Sequence, residues 1–131
     1  MESVNETSSV SKKMLWAGYI ASALTVLVLL ISGVIKFVKP DGMELEIERL
    51  GWKMSQMTGL GILEIAVTII YLIPRTAVLG AILISAYLGA ATATHVRIGD
   101  PFFMTIILGV LAWLGLWFRD PRLRSLIPLR I

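Results

Sequence analysis

Residues 77–101 read AVLGAILISAYLGAATATHVRIGDP, an apolar run that ends in a cluster of polar and charged side chains. The apolar part is long enough to cross a membrane as a helix. Helical spacing divides it into a face of small residues and a roughly opposite face that carries Tyr87, Thr94 and His95. Small faces let helix backbones approach closely in lipid. We therefore predict that the small face packs against another helix or against a second copy of the chain; it consists of Ala81, Ser85, Gly89 and Ala93.

The composition extends the membrane prediction to the whole chain of 131 residues, of which 56% are hydrophobic and 16% charged. Soluble domains carry about 25% charged residues. The charged residues lie mainly at the two ends and in two short connections, which leaves apolar blocks between them. This pattern predicts one polytopic domain in a lipid bilayer. Basic ends beside anionic lipid account for the net charge of +3, so the charge does not call for a nucleic-acid partner.

The residue types that the sequence lacks exclude several kinds of catalytic and metal site. There is no cysteine, which excludes disulfides, thiol nucleophiles and cysteine-ligated metals. His95 is the single histidine, which excludes a haem held by two histidines of one chain and a metal site built from several histidines. We therefore expect no metal site, and no cofactor is evident from the chain alone.

Hydropathy and helix-breaking residues divide the chain into elements. After the first apolar helix, apolar residues at helical spacing alternate with glutamates, which is typical of an amphipathic helix on the membrane surface. The predicted fold class is an all-α membrane protein, a four-transmembrane-helix bundle with a short amphipathic surface helix between its first and second spans. The predicted ranges are a flexible polar tail at 1–13, a transmembrane domain at 14–118 with spans at 14–38, 57–73, 77–96 and 102–118, the surface helix at 43–55, and a basic tail at 119–131.

Four spans place both termini on the same side of the membrane. That side carries seven of the twelve Lys and Arg residues, and positive charge is retained preferentially in the cytoplasm. We therefore predict that both termini are cytoplasmic.

Polar residues on three of the spans are predicted to converge. Lys36 ends the first span, Glu64 lies inside the second, and His95 ends the third, all toward the same side of the membrane. An ionisable group is costly in lipid, so each of them should turn into the bundle. We predict an outward-facing pocket lined by Lys36, Glu64, Tyr87, Thr94 and His95, with Tyr71 deeper, and a turn braced by Arg97 and Asp100.

Each member of this set also has a purely structural interpretation. Glu64 can be a proton acceptor, or it can pair with Lys36 and tie the first two spans together. His95 can line the pocket, or it can donate to the loop around Asp100. The two tyrosines can serve the site, or they can sit as amphipathic rings within the bundle.

These residues resemble those of the DoxX-like family of small bacterial integral membrane proteins. The resemblance implies a four-helix bundle in the bacterial inner membrane. Relatives include a subunit of a thiosulfate:quinone oxidoreductase and proteins linked to redox stress, which points toward a quinone and a redox partner protein. The stretches that carry the resemblance are Ser32–Lys36, Gly61–Glu64, Leu72–Arg75, Tyr87–Gly89 and, most specifically, Thr94–Pro101, THVRIGDP.

Three functions are compatible with these residues. The first is a quinone-associated subunit of a membrane oxidoreductase system, in which His95, Tyr87 or Glu64 donates protons and a separate redox protein supplies electrons. The second is a carrier or binding protein for a small molecule or a proton, which uses the same pocket. The third is an assembly subunit whose buried charges are structural. The resemblance favours the first, and whether the protein is an enzyme stays open.

Overall fold

The computed structural model describes residues 10–131, so the predicted flexible tail at 1–13 lies outside the described residues except for its last four. The long helices begin and end within three residues of the predicted spans. In this part of the chain the elements are α1 (Lys12–Val38), α2 (Met43–Leu50), α3 (Met54–Leu72), a 3-10 turn (Pro74–Thr76), α4 (Ala77–Arg97), α5 (Phe103–Arg119) and α6 (Pro121–Arg124).

The first helix has a defined start and a defined stop. Ser11 caps the start, because its Oγ accepts a hydrogen bond from the Met14 amide at 3.1 Å. The helix stops where Lys39 adopts a left-handed conformation with φ of 53°. Pro40 follows and has no amide hydrogen with which to continue the helix.

The amphipathic segment is shorter than the sequence predicts. The predicted helix at 43–55 ends at Leu50, because Gly51 adopts a left-handed conformation with φ of 89°. The next helix then starts at Met54, whereas the predicted span started at residue 57. Ile47 is buried and anchors α2 against the rest of the chain.

The four long helices form an antiparallel bundle. α1 packs against α3 and α5, and α4 packs against the same two helices. The short connections make consecutive helices antiparallel. The bundle therefore has a terminal end, where α1 starts and α5 finishes, and an α2 end, which carries α2 and the turn at 98–102. Its core includes Val26, Leu29, Val67, Ile84, Leu88, Leu108 and Leu116.

Glycines bring helix backbones together at two of these contacts. A Cβ atom placed on Gly80 of α4 would lie 2.3 Å from the Cα atom of Tyr71 in α3. A Cβ atom on Gly115 of α5 would lie 2.1 Å from the Oγ atom of Ser22 in α1. Neither contact has room for a side chain, so the close approach of these helices depends on the two glycines.

The small-residue face predicted on α4 divides into two halves. Ala81 is fully buried, and Ser85 accepts a hydrogen bond from Trp113 of α5. Gly89 and Ala93 are exposed, and a Cβ atom on Gly89 would meet no atom within 4 Å. Only the first half of the face therefore packs within the chain.

The outer surface of the bundle is apolar. Within residues 10–131, α1, α3 and the unit formed by the 3-10 turn and α4 are long and apolar enough to span a membrane. α5 is apolar but has 17 residues, about 25 Å at 1.5 Å per residue. The chain is thus an all-helical membrane bundle, as predicted. Large apolar side chains that are exposed along the helices form the surface expected to face lipid, among them Leu24, Leu27, Ile31, Ile62, Ile69, Ile82 and Ile106.

Candidate functional site

A lysine–glutamate ion pair joins α1 and α3 inside the bundle, toward the α2 end. The Lys36 Nζ atom lies 2.8 Å from the Glu64 Oε2 atom. The Glu64 side chain is 2% exposed and that of Lys36 is 17% exposed, so the pair is almost removed from solvent. Lys36 also donates to the Ser32 Oγ atom at 2.9 Å, one helical turn earlier. Pairing and hydrogen bonding together compensate for the desolvation of the two charges.

Two glycines let the helices approach closely enough for this pair to form. A Cβ atom on Gly61 of α3 would lie 3.1 Å from the carbonyl oxygen of Gly33 in α1. A Cβ atom on Gly33 would lie 2.7 Å from the Cγ1 atom of Ile65. The backbones are therefore in contact about one turn from each charged residue, which keeps the ammonium group and the carboxylate within hydrogen-bonding distance.

Tyr87 of α4 is a further polar side chain near the pair. It is half-buried, and its hydroxyl interacts electrostatically with the Glu64 carboxylate. Thr94, one turn before the end of α4, donates to the Ala90 carbonyl oxygen at 3.0 Å and so bonds within its own helix. Of the six residues predicted to share a pocket, the structure brings Lys36, Glu64 and Tyr87 together.

His95 belongs to a second polar group, in the turn that closes the α2 end. Its Nδ1 atom lies 3.6 Å from the Asp100 Oδ2 atom. That nitrogen is buried and has no hydrogen-bond partner among the described residues. The His95 ring therefore lies beside the turn that follows its own helix rather than beside Glu64, without the hydrogen bond to this loop that the structural interpretation required.

Hydrogen bonds from two arginines connect α2 to the end of α4 and to the turn that follows it. Arg49 of α2 donates two hydrogen bonds to Asp100, at 2.6 and 2.7 Å, and also contacts Glu46. Arg97 donates to the carbonyl oxygen of Leu50, the last residue of α2, at 2.6 Å. The hydrogen bonds from Arg49 lower the pKa of Asp100, and those to Asp100 and Glu46 raise the pKa of Arg49. Arg97 and Asp100 were predicted to brace this turn, whereas Arg49 was not predicted from the sequence, because it lies 51 positions from Asp100.

Tyr71 lies in a third polar group, at the terminal end. Its hydroxyl donates to the Ala112 carbonyl oxygen at 2.6 Å and lies 2.7 Å from the Ser22 Oγ atom. Because the Tyr71 proton is engaged with Ala112, Ser22 donates to the Tyr71 oxygen, and Arg119 donates to the Ser22 Oγ atom at 2.9 Å. Tyr71 follows Glu64 by seven positions, about 10 Å along α3, and the structure does not join the two.

The sequence held a signal for part of this third group. Ser22, Thr25, Ser32 and Lys36 follow one another at spacings of three, seven and four positions and so share one face of α1, a polar stripe that includes Ser22. Arg119 was assigned to the basic tail because it ends the apolar run. Its guanidinium instead stacks on the Tyr19 ring, 4.7 Å from the centroid, while it donates to α1 and α5.

An open groove of about 650 Å³ runs between α4 and α5. Its walls are chiefly apolar, and it reaches the outer surface of the bundle beside Gly89 and Val110. Two polar contacts cross it: Trp113 donates to the Ser85 Oγ atom at 2.8 Å, and the hydroxyls of Thr92 and Thr105 are 2.5 Å apart. None of the six residues predicted to share a pocket lines this groove.

These features define a small polytopic helical membrane protein with an ion pair inside its bundle and an open groove along one side. A comparison with known protein families agrees with this class. The chain belongs to the DoxX-like family, whose model matches residues 20–116, from the first turns of α1 almost to the end of α5. No curated protein and no solved structure matches the chain significantly.

Proposed function

We propose that this DoxX-like membrane protein is a quinone-associated subunit of an oxidoreductase system in the bacterial inner membrane, with both termini in the cytoplasm. The observation that supports this proposal is the groove between α4 and α5. Its volume of about 650 Å³ falls within the range of about 300–1,000 Å³ that is common for ligand pockets. Its apolar walls and its opening beside lipid suit a hydrophobic ligand that arrives through the membrane.

Ser85 is the residue best placed to orient a quinone carbonyl in this groove. Its Oγ atom accepts the hydrogen bond from Trp113. Within residues 10–131 no other protein group accepts the Ser85 proton, so the hydroxyl is available to donate to a ligand. Thr92 and Thr105 already donate to carbonyl oxygens of their own helices or turns, which leaves them less free.

No redox-cofactor site is evident from the sequence, so the proposal assigns the supply of electrons to a separate redox protein. His95, Tyr87 and Glu64, which were expected to donate protons, do not line the groove. In this proposal the chain therefore holds and orients the quinone, and the redox partner carries out the electron transfer.

A second candidate function is favoured by a different observation. Glu64 is 2% exposed and is paired with Lys36 inside a membrane bundle. Ionisable groups in such positions are frequent in proton and ion pathways. A carrier would give substrate-dependent or proton flux in liposomes that Glu64→Gln abolishes, whereas an assembly subunit with a structural pair would give none.

The quinone proposal is tested by closing the groove. A Cβ atom on Gly89 meets no atom within 4 Å, so Gly89→Leu should fill the groove without disturbing the bundle. The matched control is Gly59→Leu, because Gly59 of α3 is equally open and does not line the groove. Quenching of tryptophan fluorescence by decylubiquinone should saturate for the native protein and the control, and should be lost in Gly89→Leu.

Equal, non-saturating quenching of all three proteins would refute the quinone site. A second copy of the chain, docked through the exposed half of the small face at Gly89 and Ala93, is the competing occupant of the groove. In that case, Gly89→Leu would convert a dimer into a monomer, and quenching would depend on the oligomeric state rather than on the quinone concentration.

A further inference from the structure

The C-terminal segment, residues 121–131, is folded against the end of α5. It begins with α6, and Leu123 is buried in the core of the bundle. Trp117 of α5 donates to the Ile127 carbonyl oxygen at 2.9 Å. Arg124 donates to the carbonyl oxygens of Trp117 and Phe118, both at 3.1 Å. The segment predicted as a basic tail therefore has a set position at the terminal end of the bundle.

This segment exposes apolar and basic side chains together. Leu126, Leu129 and Ile131 are 55%, 73% and 95% exposed. Arg122 is 86% exposed apart from its contact with Asp120, and Arg130 is exposed as well. Apolar side chains interspersed with cations are typical of segments that lie in the interface between acyl chains and headgroups.

The rest of the terminal end carries the same signature. The aromatic side chains of Trp16 and Tyr19 are exposed near the start of α1, and such residues concentrate at the level of the headgroups. Among the described residues, Asp120 is the one acidic side chain at this end. The cations of the terminal end lie next to the ends of all four long helices: Lys12, Lys13, Arg75, Arg119, Arg122, Arg124 and Arg130.

We propose that residues 121–131 form an interfacial anchor that binds anionic phospholipid. Leu126, Leu129 and Ile131 insert between the acyl chains, and Arg122 and Arg130 contact the phosphate groups. Arg124 is already engaged with backbone carbonyl oxygens and holds the segment in place. Attraction of these arginines to anionic headgroups makes the insertion depend on lipid charge. Leu123, Ile127 and Pro128 of this segment also line the groove, but the lipid contacts are assigned to other residues of the segment, so the proposal does not rest on a ligand in the groove.

The absence of cysteine makes a site-specific probe straightforward. Leu129→Cys in the full-length protein is labelled with the environment-sensitive dye NBD and reconstituted into vesicles with or without phosphatidylglycerol in phosphatidylcholine. We expect a blue-shifted emission that is quenched by nitroxide-labelled lipid in the anionic vesicles, and a water-like emission in the neutral ones. High salt should reverse the shift.

Matched charge variants distinguish an effect of the arginines in residues 121–131 from an effect of the protein's net charge. Arg122→Gln with Arg130→Gln should lower the ratio of inserted to exposed label by roughly fivefold for each arginine. Lys39→Gln with Lys53→Gln removes two exposed cations at the α2 end and should leave the ratio unchanged. Circular dichroism checks that every variant keeps its helical content.

Three results would each overturn the proposal. The label stays in water in both kinds of vesicle, it inserts equally in both, or the variant at the α2 end loses insertion as strongly as the arginine variant does.

Discussion

Glu64 is a carboxylate enclosed in a membrane bundle, and Lys36 is the cation that balances it. The pair is held at 2.8 Å and supported by Ser32. Its contribution to stability is asymmetric. Breaking a buried pair leaves an uncompensated charge, while replacing both members removes the desolvation cost together with the attraction.

A double-mutant cycle tests this asymmetry. Lys36→Met and Glu64→Gln should each destabilise the protein by about 3–5 kcal/mol, and the double variant should lose less than the sum. The measurement is reversible unfolding in detergent micelles. Additive losses would show that the two side chains do not stabilise each other.

Gly80 offers a steric test of the contact between α3 and α4. A Cβ atom there would lie 2.3 Å from the Tyr71 backbone, which cannot move aside as a side chain can. Gly80→Ala should therefore destabilise the bundle by about 1–3 kcal/mol. Gly59→Ala, with no atom within 4 Å, is the control and should be neutral or stabilising by roughly 0.5–1 kcal/mol. Equal stability of the two variants would contradict the close contact.

At the level of elements, α2 is the least self-sufficient part of the fold. A helix of eight residues is not stable alone in water. Its position depends on the buried Ile47 and on two contacts with the end of α4 and the turn after it. Arg49 donates to Asp100, and Arg97 donates to the carbonyl oxygen of Leu50. We therefore expect α2 to open before the four long helices do, because Ile47 is its one buried residue.

The Asp100–Arg49 contact should make the position of α2 depend on pH. Hydrogen bonding from Arg49 lowers the pKa of Asp100 below its ordinary value of about 3.9. Its stabilising contribution is therefore present above about pH 4 and is lost as pH falls through the lowered pKa. Hydrogen exchange of the α2 amides should increase below pH 4 relative to that of α3.

Asp100→Asn is the control for this pH step. The variant should show faster hydrogen exchange of the α2 amides already at pH 7, because asparagine has no negative charge with which to hold Arg49. Exchange should increase little further in acid, because asparagine has no carboxylate to protonate. Asp120, whose pKa is lowered mainly by its hydrogen bond from Arg122, titrates in the same window at the terminal end, so the local α2 signal is required rather than overall unfolding. If the difference in amide exchange rate between α2 and α3 is the same at pH 7 and at pH 3, the contact between Asp100 and Arg49 does not hold α2 in place.

At the scale of the whole molecule, the charge distribution differs between the two ends of the bundle. The terminal end carries seven cations and, among the described residues, one acid, whereas the α2 end mixes cations with most of the acidic residues. Because positive charge favours the cytoplasmic side, the terminal end should face the cytoplasm. Single cysteines test this orientation without background labelling, since the chain has none of its own.

Ser3→Cys and Glu48→Cys are the two positions to label in intact spheroplasts with a membrane-impermeant maleimide. We expect Glu48→Cys to react and Ser3→Cys to be protected until the membrane is broken. The reverse pattern would place the termini outside, and reaction at both positions would mean that the two ends are not separated by the membrane.

The sequence alone was sufficient for the fold because lipid allows few alternatives. Long apolar runs in a membrane must become helices, and proline and glycine mark where they end. The bounds of the four long helices therefore followed the hydropathy closely. α2 was predicted too long because Gly51 can continue a helix or end it, and the conformation depends on neighbours that only the folded chain provides.

Hydropathy and helix-breaking residues were enough to predict an all-helical membrane protein and the polar residues that must avoid lipid, and the motifs were enough to predict the family. The distribution of those polar residues among separate groups became visible in the folded chain alone. Periodicity shows which face of a helix is polar, but not its rotation against its neighbours or the partner of each side chain. Lys36 thus meets Glu64, His95 turns to Asp100, and Tyr71 joins Ser22, while the open groove forms where α4 and α5 separate. These partners lie up to 49 positions apart, so their meeting depends on packing geometry that local sequence does not encode.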